Sequence, residues 1–447
     1  MKPYFRIALL CILLAFTSKL KAQNSNLILL KNVNLIDGTG SASKPDVNIL
    51  IKDGIVAAIQ SGLKHPSATQ IDLKGKTIIP AVISAHTHIG TLKGNTSTAE
   101  NYTRENVLRQ LKRYQDYGVG TILTMGTDRP LIFNGLIDST KAGLLPGARL
   151  YSAGYGFNTP EKAPGSWMNL LWRPESADQV PAQIEQLSKT KPSVIKMWVD
   201  DHGGKAEKMK PEIYKAIITE AHKKGIRVAS HLYNLEDARD LTASGLDIMA
   251  HSIRDKEIDA DLINAMKAKG VAYIPTLSLD EYAFIYARKP EWVEDSFFKA
   301  SLEPGVYEMI ISQKYQDQVK NSPDYDRNLA GFKMALKNLK KIHDAGILVA
   351  LGTDSGAFPI RAQGFSEHLE MELMVQAGLT PMQTITAATL NSAKILKIDN
   401  QIGTIQKGKK ADFIILTESP EKDIKNTRKI ESVWKDGKQV SKGPLKN

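Results

Sequence analysis

The polarity of the chain changes period twice. From residue 27 to 75 apolar and polar positions alternate in short runs, Leu27–Leu30, Asn34–Gly38, Val47–Gly54 and Ile55–Ile59, and the Asp53-Gly54 pair between the last two marks a tight hairpin. The same period returns near the other end, in Ile402–Ile405, Ala411–Leu416 and Val433–Lys438. Between these ends lie eight apolar runs: Ile78–His88, Thr121–Met125, Ala148–Ala153, Ser193–Val199, Arg227–Leu232, Asp247–His251, Ala272–Leu277 and Leu348–Gly352. Several are nearly continuous in β-branched and aliphatic residues, as strands buried on both faces are. Segments of helical spacing separate them, among them Glu105–Tyr117, Ala182–Leu187, Pro211–Lys224, Leu235–Ser244 and Ala260–Lys269. Gly118, Gly225, Gly245, Gly270 and Gly346 stand where such helices would stop.

Eight strand–helix units over residues 78–395 predict an α/β fold, a (β/α)8 TIM barrel. A doubly wound open sheet is the alternative, and no Gly-x-Gly-x-x-Gly follows a strand to support it. Neither end alone has enough strands to cover a core, so residues 23–77 and 396–447 are expected to build one small β-sandwich domain together. One connection is oversized. Residues 279–341 are rich in Tyr, Phe and Trp, are broken at Pro290, Pro304 and Pro323, and read equally as a lid-like insertion at the barrel mouth or as helical decoration outside it.

The first 22 residues form a separate unit. Lys2 and Arg6 precede the apolar run Ile7–Phe16, and Leu20-Lys21-Ala22 offers a small residue before Gln23. This is the pattern of a cleavable signal peptide, too short for a spanning helix, and it predicts a secreted, periplasmic chain without stable membrane insertion once the signal is removed. Ser18, Lys19 and Lys21 argue against an uncleaved anchor, and Ile7–Leu10 lacks the small residues expected before a lipoprotein cysteine at Cys11. Cleavage would remove the one cysteine and leave 55 of the 59 basic residues against 48 acidic ones. Such a chain can hold no disulfide, and its metal ligands must be nitrogen or oxygen donors. The positive charge is dispersed. Lys407, Lys409 and Lys410 read as a solvated turn, and no nucleic-acid partner is expected.

Polar residues capable of binding metal fall at the ends of the predicted strands, where barrel enzymes keep their chemistry. Ala85-His86-Thr87-His88 puts two imidazoles two residues apart, on one face of a strand. Lys196 lies inside Ser193–Val199, His231 and His251 end the fifth and sixth runs, and Asp354 follows the eighth in Gly352-Thr353-Asp354-Ser355. An ammonium buried at Lys196 would cost several kcal/mol, so its pKa should fall, and a neutral amine can add CO2 to give a carbamate able to bridge two metal ions. An ion pair with Asp354 is the competing reading for Lys196. His231 and His251 could be strand-end histidines satisfied within the core, and Asp354 could cap the following helix. His65, His222, His343 and His368 are assigned mainly to the surface, and His202, just after Asp200-Asp201, is a candidate substrate contact.

This set resembles the amidohydrolase superfamily, and within it the imidazolonepropionase-like and metal-dependent Xaa-Pro dipeptidase-like branch. The resemblance runs through Pro80–His88, the later ligands in order, Ala387–Ala393 and Gly403–Phe413. It implies that His86, His88 and Asp354 hold one metal, that His231 and His251 hold the other, and that carbamylated Lys196 bridges them. The implied cofactors are two divalent ions, expected to be Zn2+, although Mn, Co or Fe would also suit such ligands. Imidazolonepropionase lacks the lysine and uses one metal, so Lys196 favours the two-metal, peptidase-like side. Tyr233 matches a tyrosine near the substrate carboxylate. The implied activity is hydrolysis of an amide or peptide-type C–N bond in a dipeptide or N-acyl amino acid-like substrate, by a hydroxide shared between the metals, with Asp354 as proton shuttle. Ester or lactone hydrolysis and single-metal cyclic-amide hydrolysis are the alternatives; a non-enzymatic binding barrel conflicts with six filled positions. The bulky, acidic Met197–Asp201 segment and the aromatic insertion depart from the dipeptidase pattern. Oligomeric state is left open.

Overall fold

Strand β1 (Leu27–Leu35) joins the two short runs expected there and pairs antiparallel with β2 (Lys44–Lys52), which turns into β3 (Ile55–Gln60). Asp53 and Gly54 both adopt left-handed φ, 51° and 83°, the geometry a two-residue hairpin needs. Next come β4 (Thr69–Asp72) and β5 (Thr77–Pro80), both parallel to β1. The chain is seen in a computed structural model that describes residues 26–160, 169–201 and 203–446. The expected signal peptide with Cys11, and His202, lie outside the described residues.

The run expected as one strand over Ile78–His88 is two: Ala81 separates β5 from β6 (Val82–Thr87), and the two belong to different sheets. After a small hairpin of β7 (Leu92–Lys93) and β8 (Thr96–Ser97), β9 (Val119–Thr124) and β10 (Arg149–Ser152) make a parallel sheet in the order β10-β9-β6. A second parallel sheet follows the chain: β11 (Ile195–Trp198), β12 (Val228–His231), β13 (Ile248–Ala250) and β14 (Ala272–Ile274). Helices Arg104–Asp116, Val180–Ser188, Pro211–Lys223, Leu235–Ala243 and Ala260–Lys269 connect these strands close to their expected bounds.

The eighth run, Leu348–Gly352, forms no ladder of its own. Its backbone instead bridges two strands: Ala350 N donates to Tyr273 O (3.0 Å), Ala85 N to Leu351 O (2.8 Å) and Thr353 N to His86 O (3.0 Å). Two causes are visible. Gly352 lies so close to β6 that an added Cβ would stand 2.6 Å from His86 Cβ, and Asp354 leaves the extended region with φ 57°. On the other side the two parallel sheets are joined by Ser193 N to Ser152 O (2.8 Å) and by Phe157, which bonds Lys196 O and Trp198 N (2.8 and 3.0 Å).

The far end supplies β15 (Phe413–Leu416), β16 (Ile430–Lys435) and β17 (Lys438–Ser441), whereas Ile402–Ile405 is not a strand. β15 pairs antiparallel with β5, so both ends share one eight-stranded sheet with its own buried cluster, including Leu30, Ile49, Ile78, Phe413 and Trp434. Fully buried Arg149 at the start of β10 pairs with Asp412 and with Asp436 (2.8 Å), tying that sheet to the parallel strands. The 279–341 connection is helical, with α-turns or helices starting beyond each of Pro290, Pro304 and Pro323. His368, expected at the surface, is fully buried on the helix Phe365–Gln376, where Nε2 donates to Tyr117 O (2.9 Å) and Nδ1 meets Thr427 Oγ1 (2.9 Å). Among the described residues no helix is long and apolar enough to cross a membrane.

Candidate metal centre

In β6, Ile83 and Ala85 pack with Leu123, Ala229 and Ala250 in one inner cluster. Strict alternation would turn His86 and His88 away from it. The pairing of β6 with β9 slips between Ser84 and Thr87, however, and this irregularity re-aims the strand end. The His86 ring then lies 4.6 Å from that of His251, which lies 4.5 Å from His231. His251 needs a second device, because it too is out of phase with Ile248 and Ala250: its φ is 91°. Asp354 is also left-handed, so two of the six candidate residues sit in backbone conformations that cost about 1–3 kcal/mol each. Lys196 and His231 follow simple alternation from Val194 and Ala229.

His86, His88 and Asp354 are already in contact. Asp354 Oδ1 lies 3.1 Å from His86 Nε2 and 2.8 Å from His88 Nε2, and one ligand atom from each of the three falls within 4.8 Å of the others. Thr127 Oγ1, 2.6 Å from His88 Nδ1, orients that ring. Asp354 Oδ2 is ion-paired to Arg361. Burial alone would push the Asp354 carboxyl up, but Arg361 and the two imidazoles outweigh it and hold the group well below the usual carboxylate range. Burial, with Lys196 nearby, pushes His86 down to about 3. It is therefore a neutral ligand at neutral pH, and its buried Nδ1 has no hydrogen-bond partner among the described residues.

The other three candidates are arranged differently. His231 Nε2 donates to Asp200 Oδ2 (2.9 Å), and burial pushes the ring down to about 4. His251 Nδ1 meets Thr276 Oγ1 (2.8 Å), and burial beside the other two imidazoles keeps it well below its ordinary value. Lys196 is completely buried, and its Nζ has no hydrogen-bond partner among the described residues. It lies over the Trp198 ring at 5.1 Å, and burial, opposed by Asp354, pushes it down to about 7. The competing reading, an ion pair of Lys196 with Asp354, does not form among the described residues, although the two interact through space. The donor set fits divalent ions: imidazoles of which burial holds His86, His231 and His251 below their ordinary value, one ionised carboxylate, and an amine that burial pushes toward its neutral form.

A cavity of about 340 Å3 opens over this centre. His88, His231, His251 and Asp354 form its floor, and Leu279, Asp324, Arg327 and Asn328 from the long connection line one side. Tyr233 stands between two guanidinium groups, 4.3 Å from Arg327 and 5.0 Å from Arg254. Arg254 is itself held by Ser252 O (3.1 Å) and by buried Asp280 (3.3 Å).

The sequence profile described as the Amidohydrolase family matches residues 77–440. The chain belongs to this family. Like its relatives it is a hydrolase of carbon–nitrogen bonds. As an amidohydrolase it is similar to ochratoxinase of Aspergillus niger, 25% identical over 92% of this chain and 85% of the relative. It is also similar to imidazolonepropionase of Thermoanaerobacter pseudethanolicus, 26% identical over 83% of this chain and 84% of the relative. Among solved structures it superposes on a Xaa-Pro dipeptidase with methionine bound in its active site, with a TM-score of 0.72, 23% identity, and coverage of 92% of this chain and 99% of that one. That likeness shows a TIM-barrel-like α/β fold.

Several residues of the amidohydrolase site escaped the sequence reading. Asp200 was visible only as an acidic oddity after the fourth run. Thr127 and Thr276 carry no local signal, because each acts through a histidine 39 or 25 residues away, and Arg361 reaches Asp354, seven residues back, only because the intervening turn folds on itself. Glu367 is the clearest case. Fully buried, it accepts hydrogen bonds from Ser84 (3.1 Å), Thr353 (2.7 Å), Ser355 (3.0 Å) and Gly364 N (2.9 Å), clamping the turn that carries Asp354.

Proposed function

We propose that this amidohydrolase is exported and cleaves the amide bond of a small N-acyl amino acid or dipeptide, using two divalent ions. His86, His88 and Asp354 would hold one ion, His231 and His251 the other, and Lys196 would supply carbamate oxygens to both. The single observation that carries this reading is the buried Lys196 amine, without a hydrogen-bond partner among the described residues, beside three imidazoles and an ionised carboxylate. With its pKa near 7, about half of such amines are neutral at neutral pH and open to CO2. Ions bound there, expected to be Zn2+, would activate water at neutral pH and polarise the scissile carbonyl.

The chain's own part begins with substrate placement. Tyr233, braced by Arg254 and Arg327, faces the cavity and is assigned to the substrate's carboxylate end. Apolar Trp198, Leu279 and Ala357 line the same space and suit an acyl group. Asp354 accepts the proton of the attacking water and returns it to the leaving nitrogen. The 279–341 connection acts as a wall of the cavity rather than outside decoration, because Leu279 and Arg327 reach the lining. In this reading the eight segments from β6 to residues 348–355 close as one ring. The terminal sheet curls into a sandwich, supported by Val56 N donating to Lys409 O (2.9 Å) and Ala411 N to Gly54 O (2.8 Å).

The test is elemental analysis of protein purified without chelators, with native mass measured for one added CO2. The expected result is about two ions per chain and the added CO2. One ion and no added mass would favour the single-metal alternative, for which the preassembled His86–His88–Asp354 trio is the supporting observation. A panel of N-acyl amino acids and Xaa-Pro dipeptides against lactones then separates amide from ester chemistry.

A further inference from the structure

The turn after Asp354 is built around an arginine. Gly356 N donates to Arg361 O (3.1 Å) and Arg361 N to Phe358 O (3.0 Å), so Ser355–Arg361 folds back on itself and returns a guanidinium to the carboxylate it has just left. Gly356 has φ 83°, and any side chain there would run into His88 O, so the turn is pressed directly against the metal-binding strand. Gln363 Nε2 bonds the same carbonyl at 3.0 Å. The guanidinium lies over Phe358 at 4.7 Å, pairs through Nη1 with Asp354 Oδ2, lines the cavity, and keeps a buried Nε with no hydrogen-bond partner among the described residues.

Asp354 is thus divided between two kinds of partner: Oδ1 faces both imidazoles and Oδ2 faces Arg361. A buried carboxylate needs a cation, and here the chain supplies one of its own. The same cation occupies the oxygen that a two-oxygen carboxylate ligand would use. We propose that Arg361 is a positioning residue: it restricts Asp354 to one oxygen for the incoming ion and serves as counter-charge while the site is empty of metal. This rests on the reading of His86, His88 and Asp354 as metal ligands.

The two roles pull in opposite directions when Arg361 is removed, which a merely structural residue would not show. Arg361→Met should lower the melting temperature of the metal-free protein and, by removing a repelling charge and freeing Oδ2, tighten Zn2+ binding about tenfold. The visible absorption of the Co2+-substituted variant should weaken as a second carboxylate oxygen raises the coordination number. Arg361→Lys, which keeps the charge, should stay near the parent in all three readings and provides the comparison if the Met variant folds poorly. A fall in both metal-free stability and Zn2+ affinity, or an unchanged Zn2+ affinity and Co2+ spectrum, overturns the proposal while leaving the metal reading intact. A parent protein that takes up neither Zn2+ nor Co2+ overturns both.

Discussion

The two halves of the candidate centre reach the same cavity by different means. His86 and His88 both contact Asp354 Oδ1, and Arg361 compensates the charge of that carboxylate. In the other half, His231 and His251 direct hydrogen bonds outward to Asp200 and Thr276, and the Lys196 amine has no hydrogen-bond partner among the described residues. Under the proposed function the first half would need no added group, whereas the second would need one at Lys196. The difference teaches that occupancy should be sequential, with the second ion dependent on CO2.

The largest expected effect comes from breaking the assembled half. His88→Ala should remove both ions and reduce turnover by more than about 10⁴-fold, read as metal content and kcat. Lys196→Ala should leave about one ion per chain and cost about a thousandfold in kcat, part of which returns on adding a short carboxylate that can occupy the bridge. An unchanged metal count in Lys196→Ala would erase the distinction between the halves. Asp354→Asn sharpens it differently: kcat should fall between about 10² and 10⁴ with a smaller change in KM, as loss of a proton acceptor predicts. Full activity in this variant would sink the shuttle role.

Acid should separate the halves more gently. In the unfolded chain His86 and His231 take up protons near 6.5, whereas in the metal-free fold they do so only near 3 and 4. At these two rings the unfolded state therefore binds more protons between these values, so they withdraw stability as pH drops from about 6.5 toward 4, while Glu281, Glu370 and Glu372, whose carboxyls burial pushes up to about 7, 8 and 7, act in the opposite direction. His231→Gln should therefore make the melting temperature of metal-free protein less sensitive to acid over that range than that of the parent, and an unchanged pH profile would remove this ring from the account. The smallest effect is expected at Tyr233→Phe, a rise in KM of about tenfold for substrates with a free carboxylate and none for their amides.

Much of this arrangement is legible in the sequence, for a definite reason. A parallel strand buried on both faces must be apolar, so Lys196, His231 and His251 stand out as exceptions inside or at the end of such runs. Their spacing, however, does not tell which way they point. His86, His88 and His251 are out of phase with the inner face of their strands and are brought round by a slip in pairing and by a left-handed backbone, neither of which leaves a mark on polarity. Leu348–Gly352 has the composition of a strand but is wedged between β6 and β14 by contacts that depend on Gly352. Glu367 and buried His368 carry no such mark because a charged or polar residue in a helical segment reads as solvated unless its distant partner is known, and Arg361 because the turn that returns it to Asp354 leaves no trace in polarity.

Ala81 alone separates β5 from β6, and β5 is flanked by β1 on one side and β15 on the other. The first pair of imidazoles is therefore continuous with a strand whose neighbour β15 follows far later in the sequence. As the polypeptide emerges, His86 and His88 come first, Lys196, His231 and His251 follow, and Asp354 with its turn arrives shortly before the strand that pins β5 from the far side. An ion captured early would find imidazoles without their carboxylate, on a strand still missing its neighbour. Maturation of such a centre would thus wait for β15, which is made after every candidate ligand.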